Sequence, residues 1–163
     1  MAHFQRIGLF GNLDLPEVKD SLRKLETFLV SQGRDVIYER GTADIVDWSV
    51  EEILHTSEFA GAIDLGIVVG GDGSMLSASR KMASIGVPLL GINRGRLGFL
   101  TDISPDEIEA RVSTVLSGDY VQTRRFMLET TVTRDNEVIG SGTAVNDIAM
   151  HPGMSVRMMT FEL

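Results

Sequence analysis

The 163-residue sequence predicts an α/β protein: an open, mainly parallel sheet with helices on both faces, followed by the truncated start of an all-β, sandwich-like domain. Three observations carry this. Short apolar runs alternate with stretches of helical spacing as far as Ser117; two of those runs end in glycine-rich turns; and beyond Thr123 the helical spacing gives way to β-branched, strand-like segments.

Ile7-Gly8-Leu9-Phe10 reads as a first buried strand, and Gly11-Asn12 as the turn after it. Val18, Leu22, Leu25, Phe28 and Leu29 recur at helical spacing, which predicts a helix over Pro16–Ser31 stopped by Gly33. Val36-Ile37-Tyr38 gives a second strand. A weaker helical stretch, Val50–Glu58, leads into the apolar run Leu65–Val69 and the turn Gly70-Gly71-Asp72-Gly73. Ser74–Ser84 reads as a helix, Gly86 as its stop, and Val87–Ile92 as a further strand. Ser104-Pro105-Asp106-Glu107 has the layout of a helix start, with Ser as N-cap, Pro at the first position and Glu three residues after the cap; the helix should end at Gly118.

Residues 1–122 therefore form the expected α/β domain and 123–163 the beginning of a β-rich one. In the latter, Phe126–Thr133, a polar turn at Arg134–Glu137, and strands at Val138-Ile139 and Ala144–Met150 read as antiparallel structure. Arg157–Leu163 looks like another strand in which the chain stops, which reads as an incomplete protein.

Composition narrows the function classes. With 43% hydrophobic residues the chain can bury a core, and its net charge of −8 argues against nucleic-acid and anionic-membrane partners, which usually require a basic face. An anionic ligand must be held by a local site. The absence of cysteine excludes disulfides and thiolate metal sites, and the N-terminal residues lack a signal-peptide layout, so a cytoplasmic location is expected.

The turn at Gly70–Gly73 stands where α/β proteins place phosphates, since glycine lets backbone N–H groups approach an anion at the start of a helix. A carboxylate there is unfavourable beside phosphate unless it takes a proton or works through a cation, so Asp72 points to phosphoryl transfer. A tight turn in which Asp72 caps the next helix accounts for the spacing equally well. The second glycine-rich segment, Gly91-Ile92-Asn93-Arg94-Gly95-Arg96-Leu97-Gly98-Phe99-Leu100-Thr101-Asp102, carries two arginines that either face phosphate or lie in solvent. Asn146-Asp147, between Val145 and Ile148, is read as two polar groups in an apolar strand, one of which must face the interior or a cleft, as a structural pair or as a ligand site.

Together, the GGDG turn at Gly70–Gly73, the segment Gly91–Asp102 and the segment Asn146–Gly153 resemble the NAD kinases, most of all the bacterial, ATP-using kind. GGDG alone is shared with diacylglycerol and sphingosine kinases; the other two segments sharpen the likeness. The resemblance implies that Asp72 is the general base toward the 2′-hydroxyl of the adenosine ribose of NAD, that Gly73 gives close backbone approach, and that Asn146, Asp147 and Arg157 bind the nucleotide. Phe99 would pack against a base or in the core. ATP, brought with a divalent cation such as Mg²⁺, would be the donor, with no dedicated protein ligands for a metal. Family members are homo-oligomers, dimers or tetramers, and continue past the position of Leu163 into a domain with a GSTAY-like segment. The chain is thus expected to be the N-terminal portion of such a kinase, weakly active or inactive by itself. A diacylglycerol-type lipid kinase and a non-catalytic nucleotide-binding module are the alternatives.

Overall fold

The computed structural model describes residues 4–11, 16–42, 53–94 and 98–149. The chain divides into two compact units, Met1–Arg124 and Arg125–Leu163.

In the first unit, the strands among the described residues are β1 (Arg6–Gly11), β2 (Asp35–Glu39), β3 (Ile53–Leu54), β4 (Leu65–Gly70) and β5 (Leu89–Asn93). They form one parallel sheet in the order β3-β2-β1-β4-β5. Helices among the described residues include α1 (Pro16–Ser31), α2 (Asp72–Met82) and α3 (Ile108–Leu116). Alternation along the central strands sorts the core into two layers. Ile7 and Leu9 of β1 and Leu65, Ile67 and Val69 of β4 pack with Val18, Leu22, Leu25 and Leu29 of α1 and with Ile108, Val112 and Leu116 of α3. Phe10 and Val68 face the other way, onto Ala78 and Met82 of α2, Phe59 and Ile63. The sheet is therefore covered on both sides, as its near-continuous apolar strands require.

On the α2 face the central strands carry glycine where a side chain would not fit. A Cβ on Gly66 would lie 2.5 Å from Leu89 Cδ2 and 3.1 Å from Phe10 Cε2. Gly66→Ala is expected to destabilise the fold by about 1–3 kcal/mol through overpacking, read as a lower urea midpoint with an unchanged slope. An unshifted midpoint would show that Leu89 and Phe10 yield freely.

Two expectations change in this unit. Within the stretch expected to be helical over Val50–Glu58, Ile53-Leu54 is instead a strand, paired with Tyr38 and Glu39 of β2, and Thr56–Glu58 is a 3₁₀ turn; residues 50–52 lie outside the described part. The open edge of β2 offers backbone partners that outweigh a weak helical pattern. At Ser104 the side chain does not cap the helix. Its hydroxyl bonds Glu107 Oε2 at 2.8 Å, the first turn at Pro105–Glu107 is 3₁₀, and α3 begins at Ile108.

The second unit contains, among its described residues, the hairpin β6 (Leu128–Arg134) and β7 (Glu137–Ala144). Asp135 and Asn136 close it with φ of 50° and 63°, the left-handed pair that a two-residue hairpin turn demands and that Asp and Asn tolerate. The strand expected at Val138-Ile139 is β7 and runs on to Ala144. Residues 145–149, expected as part of a further strand Ala144–Met150, lie in no strand, and Met150 lies outside the described residues. The partner of Ala144, Leu128, is the first residue of β6, so the ladder has nothing further to pair with.

Candidate active site

The carboxyl end of β4 delivers Gly70 and Gly71 to the start of α2, and Asp72 is the first helical residue. Gly71 is the N-cap and has no side chain to cap with; its carbonyl accepts from the amides of Ser74 at 3.0 Å and Met75 at 3.1 Å. A Cβ on Gly71 or Gly73 would meet no atom within 4 Å, so the glycine turn borders open space.

Asp72 does not cap its own helix. Its carboxylate turns to the segment after β5, where Phe99 N donates to Oδ2 at 2.8 Å and Leu100 N donates to Oδ1 at 2.9 Å. These amides, that of Phe99 foremost, stabilise the charged form and hold the Asp72 carboxyl below the usual carboxylate range. Each oxygen can accept a further bond, and the side chain is only partly covered, so an ionised carboxylate with spare acceptor capacity stands at the glycine turn.

The segment that grips Asp72 is itself placed by glycine. At Gly98 a Cβ would collide with the Asp72 carboxylate, with Cγ only 2.5 Å away. At Gly91, in the middle of β5, a Cβ would lie 2.7 Å from Thr101 Cγ2 and 2.9 Å from the Leu100 carbonyl oxygen. The strap Gly98–Thr101 can thus lie directly on β5 and against Asp72. Asn93, buried at the end of β5, secures its far side: its amide donates to the Ile103 carbonyl at 2.8 Å and its side chain to the Thr101 carbonyl at 3.4 Å. Sequence reasoning singled out this segment but not the roles of Gly91 and Gly98; the signal was glycine on either side of a sharp return of the chain.

Phe99, at the tip of the strap, is 96% exposed, which overturns core packing as its role. Arg94 is half-buried and its Nε donates to Ser21 Oγ on α1, so it does not lie free in solvent. Arg96 lies outside the described residues.

In the second unit, Asn146 and Asp147 follow the end of β7, outside any strand, and both are exposed. The expectation that one of them must face inward therefore fails, because strand alternation no longer applies to them. Arg157 and the turn His151-Pro152-Gly153 lie outside the described residues.

A parallel sheet with a glycine turn at the carboxyl end of a central strand and an ionised carboxylate at the start of the next helix has the layout in which open α/β sheets place their ligands. The family described as the ATP-NAD kinase N-terminal domain matches residues 7–120. The chain is 48% identical over all 163 residues to a NAD kinase of Azotobacter vinelandii and 50% identical to one of Saccharophagus degradans, and spans 55% of the length of each. In fold it is similar to a yeast NADH kinase solved with NADH (TM-score 0.69, 20% identity, covering 88% of this chain and 47% of that one). It is also similar to an NAD kinase from Archaeoglobus fulgidus solved with ATP (TM-score 0.56, 22% identity, 82% and 45% covered). The chain belongs to the NAD kinase family.

Proposed function

We propose that the whole protein transfers the γ-phosphoryl group of ATP to the 2′-hydroxyl of the adenosine ribose of NAD, giving NADP and ADP. The observation that carries this reading is the ionised Asp72, held at the GGDG turn by the amides of Phe99 and Leu100, in a chain of this family. As the ribose oxygen bonds to the γ-phosphorus, its proton passes to a free lone pair of Asp72 and the bond to the bridging oxygen breaks, leaving ADP. Phosphoryl transfer of this kind depends on positioning more than on a strong base, so a carboxylate of lowered basicity suffices. Gly73 lets the substrate approach the backbone, and the exposed Phe99 ring is available to a base. The cation, Mg²⁺, arrives with ATP. Among the described residues no group of three or more His, Asp or Glu is arranged to hold a metal ion. Assembly as a homo-oligomer and a cytoplasmic location rest on the family resemblance; among the described residues no helix is long and apolar enough to cross a membrane. Incubating the whole protein with ATP and NAD tests the reading directly, and absence of NADP would end it.

Asn146, Asp147 and Arg157 are assigned to the NAD side. Asn146→Ala and Asp147→Ala should each weaken NAD binding by about 1–3 kcal/mol, with ATP affinity less affected. Both side chains are exposed, so stability should change by no more than about 0.5 kcal/mol. Unchanged NAD affinity in calorimetric titration of both variants would return the pair to a structural role.

A further inference from the structure

Thr101 is fully buried in the strap, yet its hydroxyl oxygen, Oγ1, completes no hydrogen bond among the described residues. A buried polar group left without a partner lowers stability, so its presence points to a task other than holding the fold. The side chain is oriented from the β5 side. The Thr101 carbonyl accepts from Asn93 Nδ2 at 3.4 Å, and Cγ2 lies so close over Gly91 that a Cβ there would come within 2.7 Å of it. A β-branched side chain has few rotamers, so with its methyl on Gly91 the hydroxyl must leave Cβ in another direction. That direction is toward Asp72: the Thr101 hydroxyl and amide both favour its charged form, adding to the amides of Phe99 and Leu100.

A hydroxyl differs from the amides in what it can do. A backbone N–H is fixed in direction and only donates, whereas a threonine O–H turns about its C–O bond, giving a charged carboxylate a further donor and releasing it once it is protonated. Asp72 passes through both states if it takes a proton from the substrate. Among the described residues, the groups that act on its carboxyl are the amides of Phe99, Leu100 and Thr101 and this hydroxyl, with no charged side chain. The hydroxyl is therefore the group among them able to follow the charge of Asp72. Phe99, at the exposed tip of the strap, is two residues away, so a nucleotide resting on that ring bears on Thr101 through one intervening residue.

Resting on the kinase reading above, we infer that Thr101 is a positioning residue of the transfer: its hydroxyl comes onto Asp72 when nucleotide is bound and fixes the carboxylate with a free lone pair toward the ribose hydroxyl. The whole protein is compared with Thr101→Val, which keeps the shape and deletes the hydroxyl, and with Thr101→Ser, which keeps the hydroxyl. Melting curves, initial rates against ATP and NAD, and the pH dependence of kcat/KM are measured. Thr101→Val should melt no lower than the unaltered protein, because it removes a buried hydroxyl that has no partner. Its kcat should nevertheless fall by about 10- to 100-fold, the factor carried by a hydrogen bond to a charged group, with both KM values unchanged. Its acid limb should move upward, since a donor to the charged form is lost, and Thr101→Ser should restore both rate and limb. If Thr101→Val keeps its kcat and its limb, or melts lower and loses rate with an unmoved limb, the side chain serves packing alone; the inference then fails while the kinase reading stands. If the unaltered protein makes no NADP, the kinase reading fails, and the contact is judged by titrating the Asp72 carboxyl with carbon-13 NMR. There, a pKa raised in Thr101→Val and restored in Thr101→Ser upholds the link between Thr101 and Asp72, and an unshifted one overturns it.

Discussion

Asp72→Asn in the whole protein is expected to lower the rate of NADP formation by about 10²–10⁴-fold while leaving nucleotide affinity near normal. The amide keeps the size of the side chain but cannot take the ribose proton. Its NH₂ also cannot accept from an amide, so one of the two bonds from Phe99 and Leu100 is lost. The pH dependence of the unaltered protein carries a second signature. Because those amides lower the Asp72 pKa, the carboxylate stays ionised through the usual carboxylate range, and the acid limb of kcat/KM due to this group should lie below that range. The sign for stability is the same: the contribution of these bonds is present above the unfolded pKa and is lost as pH falls through the lowered folded value. Near-normal turnover by a folded Asp72→Asn protein would leave Asp72 only the task of holding the strap.

The second large effect is expected at a residue with no side chain. Gly98→Ala places a methyl group where the Asp72 carboxylate now sits, so either the carboxylate or the strap must move. A displacement of about 1 Å at a reacting group can lower the rate on the order of 10²-fold. Separation from the amides of Phe99 and Leu100 should also return the Asp72 pKa toward its ordinary value, moving the acid limb of kcat/KM upward. Measured together, a fall in kcat and an upward shift of that limb identify the clamp. A fall in kcat with an unmoved limb would mean that Asp72 keeps its amide partners and that the damage lies elsewhere.

The parts of this fold that were legible in the sequence are those where local pattern and tertiary demand coincide. Pro16–Ser31 is helical with its boundaries as read, because Val18, Leu22, Leu25 and Leu29 form the face that the sheet buries. The Leu65–Val69 run and its glycine turn were legible for the same reason: a strand buried on both faces is apolar throughout. Ile53-Leu54 sits in a weakly helical pattern, yet the edge of β2, contributed by residues outside that local window, decides its pairing. Asn146-Asp147 lies outside any strand although its sequence suggests one, because apolar neighbours look the same whether or not a partner strand exists. In the candidate site, the sequence marked Asp72 but not what holds it. A backbone amide has no residue identity, so the bonds from Phe99 and Leu100 leave no trace in the sequence, and the glycines that allow them are mute until the crossing of strap and strand is seen.

The strand pairings also set two clocks within one polypeptide. In the hairpin, Arg134 faces Glu137 across a two-residue turn, a closure of the kind that takes about 1–10 μs. In the parallel sheet, Ile7 must find Leu65 far along the chain, and the search for such distant partners is slow because loop entropy is lost before the contacts form. Among the described residues β6 and β7 pair only with each other, whereas β1 has neighbours on both sides and side chains packed above and below, and so has much more to lose on opening. The hairpin of residues 128–144 is therefore expected to form early, while the strands that carry the glycine turn form late and, once joined, seldom part.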